Sequence, residues 1–405
     1  MRDVAIVGAG MIRFGKYPEK SIKDLVREAV TAALADAGAD PKVLEAAYVG
    51  SAAPGIMTGQ EQIKAQVTLS AMGIDTIPMY NVENACASSS SALNLAWTAV
   101  GAGVFDCALV VGFEKLYDVD KMKSFMALGT AVDIERVHEF LAQVAEKEGG
   151  QILSGDSGKS KSIFMDMYAY YTRRAMEKYG LTQEHFAKIA VKSHKHGALN
   201  PHAQYQKEVT LEQVMTSPEV AFPLTRLMCS PISDGSAAVI VCSKEKAAQF
   251  TTKPVWIEAS VVGSGRLGQD FDDTLTLRTG KKIFEKASVG PKDIDLVEVH
   301  DATSPSEIFA LIELGLVPGD RAAEYIDSGF LEINGRLPTN TSGGLASKGH
   351  PIGATGLGQI HEVVRQLRGE AGARQVKNAR VGMTHNGGGI LGVDAAAMAL
   401  HIFKN

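Results

Sequence analysis

Residues Asn81 to Ala96, NVENACASSSSALNLA, place one cysteine next to four consecutive serines, just ahead of an apolar pattern with helical spacing. The preceding residues, PMYNVENAC, are typical of a β-strand, and SALNLAWTAVGAG is typical of a helix. Cys86 therefore falls at a strand-to-helix junction, where the positive end of the helix dipole favours a thiolate. The alternative is a small buried apolar side chain, which is the usual role of an isolated intracellular cysteine.

The sequence on either side repeats this alternation of strand and helix in two series. The first begins with DVAIVGAG and continues with the helix SIKDLVREAVTAALADAGAD, which has a serine cap at Ser21 and a glycine stop at Gly38. The second begins near KPVWIEASVVGSG and ends with the strands ARVGMTHNGGG and GVDAAAMALHIF. This alternation predicts an α/β fold with a parallel or mixed sheet covered on both faces.

The similar order of the two series predicts two duplicated βα halves packed on each other. Residues 121–224 break the rhythm, because they are richer in charge, histidine and tyrosine. We expect them to form an inserted loop domain over the sheet ends, where α/β proteins bind ligands. The predicted first half is residues 1–120 plus 225–253, and the second is residues 254–405.

The composition and net charge of the chain argue against several classes of function. The 405 residues carry a net charge of −5, which argues against general binding to nucleic acid or to a membrane surface. No apolar run approaches the roughly 18 residues of a membrane span, and the N-terminus enters a strand directly, so a soluble cytoplasmic protein is expected. The four cysteines, Cys86, Cys107, Cys229 and Cys242, lie far apart, so neither a zinc site nor a disulfide framework is predicted. We expect the last three to be structural.

Three histidines stand in positions suited to catalysis. His350 precedes a proline in the glycine-rich bend SKGHPIGATG, which presents an imidazole at the mouth of the next helix, where it can accept a proton from a thiol. His300 ends the strand-like VEVHDAT, a position suited to donating to a developing oxyanion. His385 leads MTHNGGGILG, whose three glycines let the backbone approach a ligand closely.

Other polar clusters are given simpler interpretations. His194, His196 and His202 in SHKHGALNPH have no carboxylate or cysteine partners that complete a metal site, so we expect a solvated loop and no metal. The tyrosines of MDMYAYY are expected to pack as helix core, with one wall of an acyl pocket as the alternative. Lys159 and Lys161 lie in SGDSGKSKS, which is expected to be a surface loop whose lysines could meet phosphates.

Taken together and in this order, NACASSSSA, HDAT, GHPIGATG and HNGGG resemble the thiolase superfamily over nearly the whole chain. The resemblance is closest to the branch that includes the sterol-carrier-protein-type thiolases. It implies a five-layer αβαβα fold, dimers or tetramers, coenzyme A thioester substrates, and coenzyme A as a co-substrate with no permanently bound cofactor. Candidate contacts for coenzyme A are Ser347, Gly349, Lys159 and Lys161.

The resemblance also implies a role for each motif residue. Cys86 is the nucleophile that becomes acylated, and His350 activates it. His300 helps form the oxyanion site for the enolate, with His350. The backbone N–H groups of Cys86 and Gly387 form a second oxyanion hole, and losing one such donor typically costs about 3–4 kcal/mol of barrier.

The sequence departs from the family in two places. Thiolases usually have a second cysteine, in a Cys-x-Gly pattern, as the acid/base at the substrate α-carbon, and here that position is His385. An imidazole can shuttle protons near neutral pH, so we predict that His385 replaces the cysteine. Thr303 stands where the related HDAF element has phenylalanine, which predicts a more polar or roomier acyl pocket.

These residues predict a thiolase that cleaves or forms a 3-oxoacyl-CoA, whose acyl group could be branched, dicarboxylic or aromatic; benzoylsuccinyl-CoA is one example. Many thiolases of this branch act with a small zinc-ribbon/OB-fold partner subunit, and we expect one here. Two alternatives stay open. One is a thiolase-like aldolase acting on a β-hydroxyacyl-CoA, for which the cysteine is dispensable. The other is a non-catalytic acyl-CoA-binding subunit.

Overall fold

The structure, a computed structural model, describes residues 1–137, 139, 142, 162–250, 253–267 and 272–405. Its strands in these ranges are β1 (Val4–Met11), β2 (Ala46–Gly50), β3 (Met79–Val82), β4 (Cys107–Glu114), β5 (Glu219–Ala221), β6 (Leu224–Thr225), β7 (Gly235–Ser243), β8 (Val255–Ser264), β9 (Leu296–Glu298), β10 (Val381–Leu391) and β11 (Asp394–Lys404). The α-helices are Ile22–Ala37, Pro54–Thr58, Lys64–Ser70, Ser88–Gly101, Lys121–Gly129, Ile163–Tyr179, Gln183–Ala198, Leu211–Met215, Lys244–Ala247, Leu275–Ala287, Ser304–Glu313, Ala322–Asp327, Gly344–Lys348 and Thr355–Arg368.

Nine of the strands in the described ranges join in the order β3-β2-β4-β7-β1-β8-β11-β10-β9. The strands β1 and β8 pair only through Ala5 with Trp256 and Ile6 with Val255. This short junction separates a first set of five strands from a second set of four. Both sets mix parallel and antiparallel pairs, as β2 with β4 and β10 with β11 illustrate.

Two helices lie between the two sets of strands. Nearly every residue of Thr355–Arg368 is buried, and so are ten residues of Ser88–Gly101, whose Leu95 and Thr98 remain exposed. Their side chains share one hydrophobic cluster with residues of both strand sets, among them Val110 and Phe403. Each fully buried residue of this size contributes about 1.5–3 kcal/mol through the area it removes from water.

The outer faces of the two strand sets are covered by further helices. Ile22–Ala37 and Lys64–Ser70 pack on the first set, and Leu275–Ala287 and Ser304–Glu313 pack on the second. The layer order is therefore helix, sheet, helix, sheet, helix. The predicted five-layer αβαβα fold is confirmed. None of the helices in the described ranges is long and apolar enough to cross a bilayer.

The helices of residues 163–198 pack against the second half. Phe186 meets Phe309 edge-on with ring centroids 6.0 Å apart, and the buried Lys192 ammonium lies 2.8 Å from the Glu307 carboxylate. The prediction of a solvated loop is wrong for His194 and His196. Both are buried on the Gln183–Ala198 helix, because the helix turns this face inward.

Candidate active site

Cys86 lies in a short 3-10 turn, Ala85–Ala87, directly before the Ser88–Gly101 helix. The preceding residue, Ala85, has a positive φ of 49°, which is uncommon for a residue with a Cβ and marks a constrained turn. The Cys86 side chain is half-buried and lies on the wall of a cavity of about 340 Å³, here called the thiol cavity. The turn thus presents the sulfur to this cavity.

The four serines after Cys86 each have a specific hydrogen-bond partner. Ser88 Oγ donates to the Ala85 carbonyl and accepts from the Asn84 N–H, at 2.6 and 3.0 Å. Ser91 Oγ accepts from the Asn84 amide at 2.8 Å. These bonds fix the turn that carries the thiol.

The other two serines connect this turn to the second half of the chain. Ser89 Oγ accepts from the Leu357 N–H at 3.1 Å, and Ser90 Oγ donates to Asn386 Oδ1 at 2.9 Å. Leu357 belongs to the helix that follows the His350 bend, and Asn386 neighbours His385. The serine run therefore fixes the position of the thiol relative to the segments that carry His350 and His385.

The glycines of HNGGG pack directly against the thiol turn. A Cβ on Gly388 would overlap the Asn84 carbonyl oxygen and lie 2.7 Å from the Ala87 nitrogen, so only glycine fits there. The Gly389 N–H donates a hydrogen bond to the Cys86 sulfur. Gly387, the residue predicted to supply an oxyanion N–H, lines the thiol cavity.

The structure brings His300 and His350 to the sulfur. The Cys86 Sγ and one ring nitrogen of each histidine all lie within 4.8 Å of one another. The two imidazole rings meet edge to face, with centroids 5.0 Å apart. Three residues that are far apart in sequence therefore converge on one point.

Hydrogen bonds define the proton positions on His350. Thr355 Oγ1 donates to the Pro351 carbonyl at 3.1 Å, so at its 2.6 Å contact with His350 Nδ1 it acts as the acceptor. The neutral ring then carries its proton on Nδ1 and keeps a lone pair on Nε2. That lone pair is the base that His350 offers in the thiol cavity.

His300 has the opposite tautomer. Asn386 Oδ1 is used by Ser90, and the Asn386 Nδ2 donates to His300 Nδ1 at 3.1 Å. The His300 proton therefore lies on Nε2, which makes the ring a hydrogen-bond donor. A hydrogen-bond donor that lies beside the thiol and the base is well placed to stabilise a developing oxyanion.

His385 also lines the thiol cavity, and both of its ring nitrogens are bonded. Its Nδ1 accepts the His300 backbone N–H at 3.3 Å, so its Nε2 carries the proton and donates to Thr276 Oγ1 at 3.1 Å. Burial, with a smaller contribution from His300, lowers the pKa of His385 to about 3. The resting ring is therefore neutral.

Electrostatics keep the resting Cys86 protonated. Burial raises the pKa of the Cys86 thiol to about 12, the nearby Glu114 carboxyl adds to this, and the Gly389 N–H opposes it. The expectation that the helix terminus favours a thiolate is thus wrong for the resting site, because desolvation dominates. Burial also lowers the pKa of His350 well below its usual value, so thiol and neutral imidazole coexist.

Glu114 connects the two halves beneath the thiol. Its carboxylate accepts the N–H groups of Ala52, Ala53 and Gly353, at 3.0, 3.2 and 3.0 Å. Gly353 belongs to the bend after His350, so the carboxylate fixes that bend. Glu114 was not among the residues singled out from the sequence.

Several side chains that line the thiol cavity were predicted from the sequence to have other roles. Tyr168 and Tyr171 line it, which is the acyl-pocket alternative considered for these tyrosines, and Cys229 lines it although we expected a structural cysteine. Thr303 is fully buried with its hydroxyl 3.1 Å from Ser306, and Ala302 faces the cavity instead. The prediction that Thr303 shapes the pocket is not supported.

The candidate contacts for coenzyme A lie elsewhere. Ser347 is fully buried and its hydroxyl donates to the Tyr205 carbonyl at 2.9 Å, while Gly349 is buried beside Ser233. Neither residue lines the thiol cavity. Lys159 and Lys161 lie outside the described residues. Coenzyme A binding by these four residues stays a prediction.

A thiol beside a neutral imidazole base and an imidazole donor, on the wall of a cavity, is an arrangement suited to nucleophilic catalysis by cysteine. The thiolase N-terminal domain family matches residues 4–245, and the thiolase C-terminal domain-like family matches residues 268–401. The chain belongs to the thiolase family, and it is an acyltransferase.

Curated relatives agree with this assignment. The acetyl-CoA acetyltransferase of Methanothermobacter thermautotrophicus is 41% identical and covers all of both chains. Sterol carrier protein 2 of Gallus gallus is 37% identical over 95% of this chain and 69% of its own length. The predicted likeness to the sterol-carrier-protein-type branch is confirmed.

Solved structures show the same fold. The Ltp2-ChsH2(DUF35) aldolase matches with a TM-score of 0.78 and 26% identity, over 99% of this chain and 97% of its own. Human mitochondrial 3-ketoacyl-CoA thiolase in complex with CoA matches with a TM-score of 0.69 and 19% identity, over 100% and 98% of the two chains.

Proposed function

We propose that the protein is a thiolase that cleaves or forms a 3-oxoacyl-CoA through an acyl group carried on Cys86. The observation that carries the proposal is the convergence of the Cys86 sulfur, the His350 base and the His300 donor within 4.8 Å. Coenzyme A acts as the co-substrate, and no permanently bound cofactor is needed for this chemistry.

In the cleavage direction, His350 Nε2 takes the thiol proton as the sulfur attacks the 3-keto carbon. The backbone N–H groups of Cys86 and Gly387 stabilise the tetrahedral oxyanion. The bond between C2 and C3 then breaks, leaving an acyl group on Cys86 and an enolate of the shorter acyl-CoA. The His300 Nε2–H donates to the enolate oxygen.

His385 acts as the acid/base of the second half of the reaction. It delivers a proton to C2 of the enolate and later accepts the thiol proton of incoming coenzyme A. The new thiolate attacks the acyl group on Cys86, and His350 returns its proton to the released sulfur. A positioned acid/base of this kind contributes about 10²- to 10⁴-fold in rate.

A retro-aldolase acting on a β-hydroxyacyl-CoA is the second candidate. It is favoured by one observation, the 26% identity and TM-score of 0.78 with the Ltp2-ChsH2(DUF35) aldolase. That name includes a second component, ChsH2(DUF35), which supports a partner subunit for this chain, and we propose one of the small zinc-ribbon/OB-fold kind. We also propose that the chain assembles into a homodimer or tetramer. The aldolase reaction forms no acyl-enzyme, so Cys86 separates the two candidates.

The test combines turnover with mass spectrometry. The protein, alone and with a co-expressed partner, is incubated with acetoacetyl-CoA and a panel of branched, dicarboxylic and aromatic 3-oxoacyl-CoA esters plus free coenzyme A. We expect turnover and an acylated Cys86 peptide, and both should be lost in Cys86→Ala. Turnover of β-hydroxyacyl-CoA that survives Cys86→Ala would establish the aldolase instead, and binding without turnover would indicate a non-catalytic subunit.

A further inference from the structure

The chain segment that leads to His350 runs beside the strand that ends just before His300. The Asn340 N–H donates to the Val297 carbonyl at 2.9 Å, and Asn340 Oδ1 accepts the Val299 N–H at 2.8 Å. These bonds align the two segments. They lie well before His350 in the sequence, so they do not by themselves set the position of its imidazole.

A buried ion pair joins the two segments much closer to the histidines. Glu298 lies two residues before His300, and Lys348 lies two residues before His350. The Lys348 ammonium is 3.3 Å from the Glu298 carboxylate, and both side chains are 1% exposed. The ion pair therefore bridges the same two segments that bring the imidazole rings to a centroid distance of 5.0 Å.

Asp301, on the other side of His300, makes a second bond to the same segment. Its Oδ1 accepts the Leu345 N–H at 2.7 Å, and Leu345 belongs to the short helix Gly344–Lys348. The two carboxyls that flank His300 thus hold this helix near both of its ends. The acyl-transfer steps described above use neither carboxyl.

Stability alone does not account for the ion pair. The cost of removing two charges from water can exceed their mutual attraction, so neutral side chains can often replace a buried pair without loss of stability. Glu298 also accepts the Ser342 N–H at 3.0 Å and the Ser342 hydroxyl. Lys348 Nζ, in contrast, has one hydrogen-bond acceptor among the described residues, the Glu298 carboxylate. The carboxylate therefore fixes the ammonium, and with it the end of the helix.

We propose that Glu298 and Lys348 are positioning residues for the imidazoles of His300 and His350. By tying the end of the helix to the strand before His300, the ion pair fixes the distance between the base and the oxyanion donor. A misplacement of about 1 Å can cost about 100-fold in rate, so such a tie has a large effect on turnover. The proposal rests on the proposed function, because it takes His350 to be the base for the Cys86 thiol.

Two variants of the full-length protein separate positioning from stability. Lys348→Met removes the ammonium at a similar side-chain length, leaves the Glu298 charge unpaired, and should lower the urea midpoint of unfolding. Lys348→Met combined with Glu298→Gln leaves no unpaired buried charge, so the midpoint should return close to the wild-type value. With acetoacetyl-CoA and coenzyme A as substrates, we expect both variants to lose about 10- to 100-fold in kcat with little change in KM.

A second measurement does not depend on turnover. Iodoacetamide alkylates the Cys86 sulfur, and the rate, followed by mass spectrometry of the Cys86 peptide without substrate, reports whether His350 still assists the loss of the thiol proton. We expect alkylation to slow by about 10-fold or more in both variants, because a displaced base no longer reaches the thiol.

The matched control is a buried ion pair that contacts neither histidine segment. Arg368 is 1% exposed and lies 2.6 Å from the Asp36 carboxylate, which joins the end of Thr355–Arg368 to the Ile22–Ala37 helix. Asp36→Asn combined with Arg368→Met should keep kcat and the alkylation rate close to the wild-type values. Losses in this control as large as those in the double variant of Glu298 and Lys348 would overturn the positioning role.

The outcomes separate this proposal from the proposed function. If the double variant regains both stability and kcat, or if neither variant folds, the ion pair serves the fold and the positioning role is overturned. A low kcat beside wild-type alkylation would overturn it as well, because the base would still reach the thiol. A protein without 3-oxoacyl-CoA turnover whose Cys86 alkylation slows in both variants, but not in the control, would overturn the proposed function and support the positioning role.

Discussion

Asn386 Nδ2 donates to His300 Nδ1 across 3.1 Å, and this bond determines which nitrogen of the His300 ring carries the proton. Asn386 was not among the residues singled out from the sequence, although it directly follows His385.

Asn386→Leu removes the donor while keeping a similar shape. We expect kcat for 3-oxoacyl-CoA cleavage to fall about 10- to 100-fold, because the His300 Nε2–H is no longer fixed toward the enolate oxygen and one oxyanion donor carries up to 10³-fold. Steady-state kinetics measures the loss. Ser90→Ala leaves the Asn386–His300 bond in place and should cost less; an equal or larger loss would contradict the role of the tautomer.

Thr355→Val tests the corresponding bond to His350. Without the acceptor at 2.6 Å, the proton can move to Nε2, which removes the lone pair that takes the thiol proton. We expect acylation of Cys86 to slow by about 10-fold, measured by rapid quench and mass spectrometry. Thr355→Ser retains the hydroxyl and should acylate at nearly the wild-type rate.

Gly388→Ala should displace the thiol turn. The added methyl group meets backbone atoms of Asn84 and Ala87, which cannot move aside as a flexible side chain could. We expect at least a 100-fold loss of kcat and a destabilisation of about 1–3 kcal/mol, as for other overpacked sites. Urea denaturation and kinetics check both; a variant with wild-type activity would show that the turn is not held by this contact.

Glu332→Gln tests a pH-dependent contribution to stability away from the site. Hydrogen bonds from His196 and Lys195 lower the pKa of Glu332 to about 2. Because the folded-state pKa is depressed, the stabilisation is present above the unfolded value near 4.5 and is lost as pH falls toward 2.

The Glu332 side chain is about one-third exposed, so solvent screening reduces the effect, and we expect Glu332→Gln to cost about 1–2 kcal/mol at pH 7. The difference from wild type should shrink between pH 5 and pH 3.5 in urea titrations. A difference that stays constant with pH would mean that the ionised carboxylate is not responsible.

Local signals in the sequence predicted much of the fold. The Ile22–Ala37 helix begins after the Ser21 cap, which forms a capping box with Asp24, and ends at Gly38 in the left-handed region, as the sequence predicts. These features depend on residues a few positions apart. The same holds for the placement of Cys86 at a strand-to-helix junction.

Features that depend on distant residues were not predictable. The tautomers of His300 and His350 follow from hydrogen bonds that only the folded chain shows, and the burial that protonates Cys86 has no local signature. The sequence predicts a solvated His196 because its hydrogen-bond partners, Asn340 and Glu332, lie more than 130 residues away along the chain. Sequence separation, rather than residue type, marks the limit of prediction here.

The Ser89 and Ser90 hydroxyls make the two halves of the chain depend on each other. One satisfies the start of a helix in the opposite half, and the other holds the amide that orients an imidazole there. Neither half can therefore be exchanged or redesigned alone: a substitution at either serine is expected to disturb the opposite half as well.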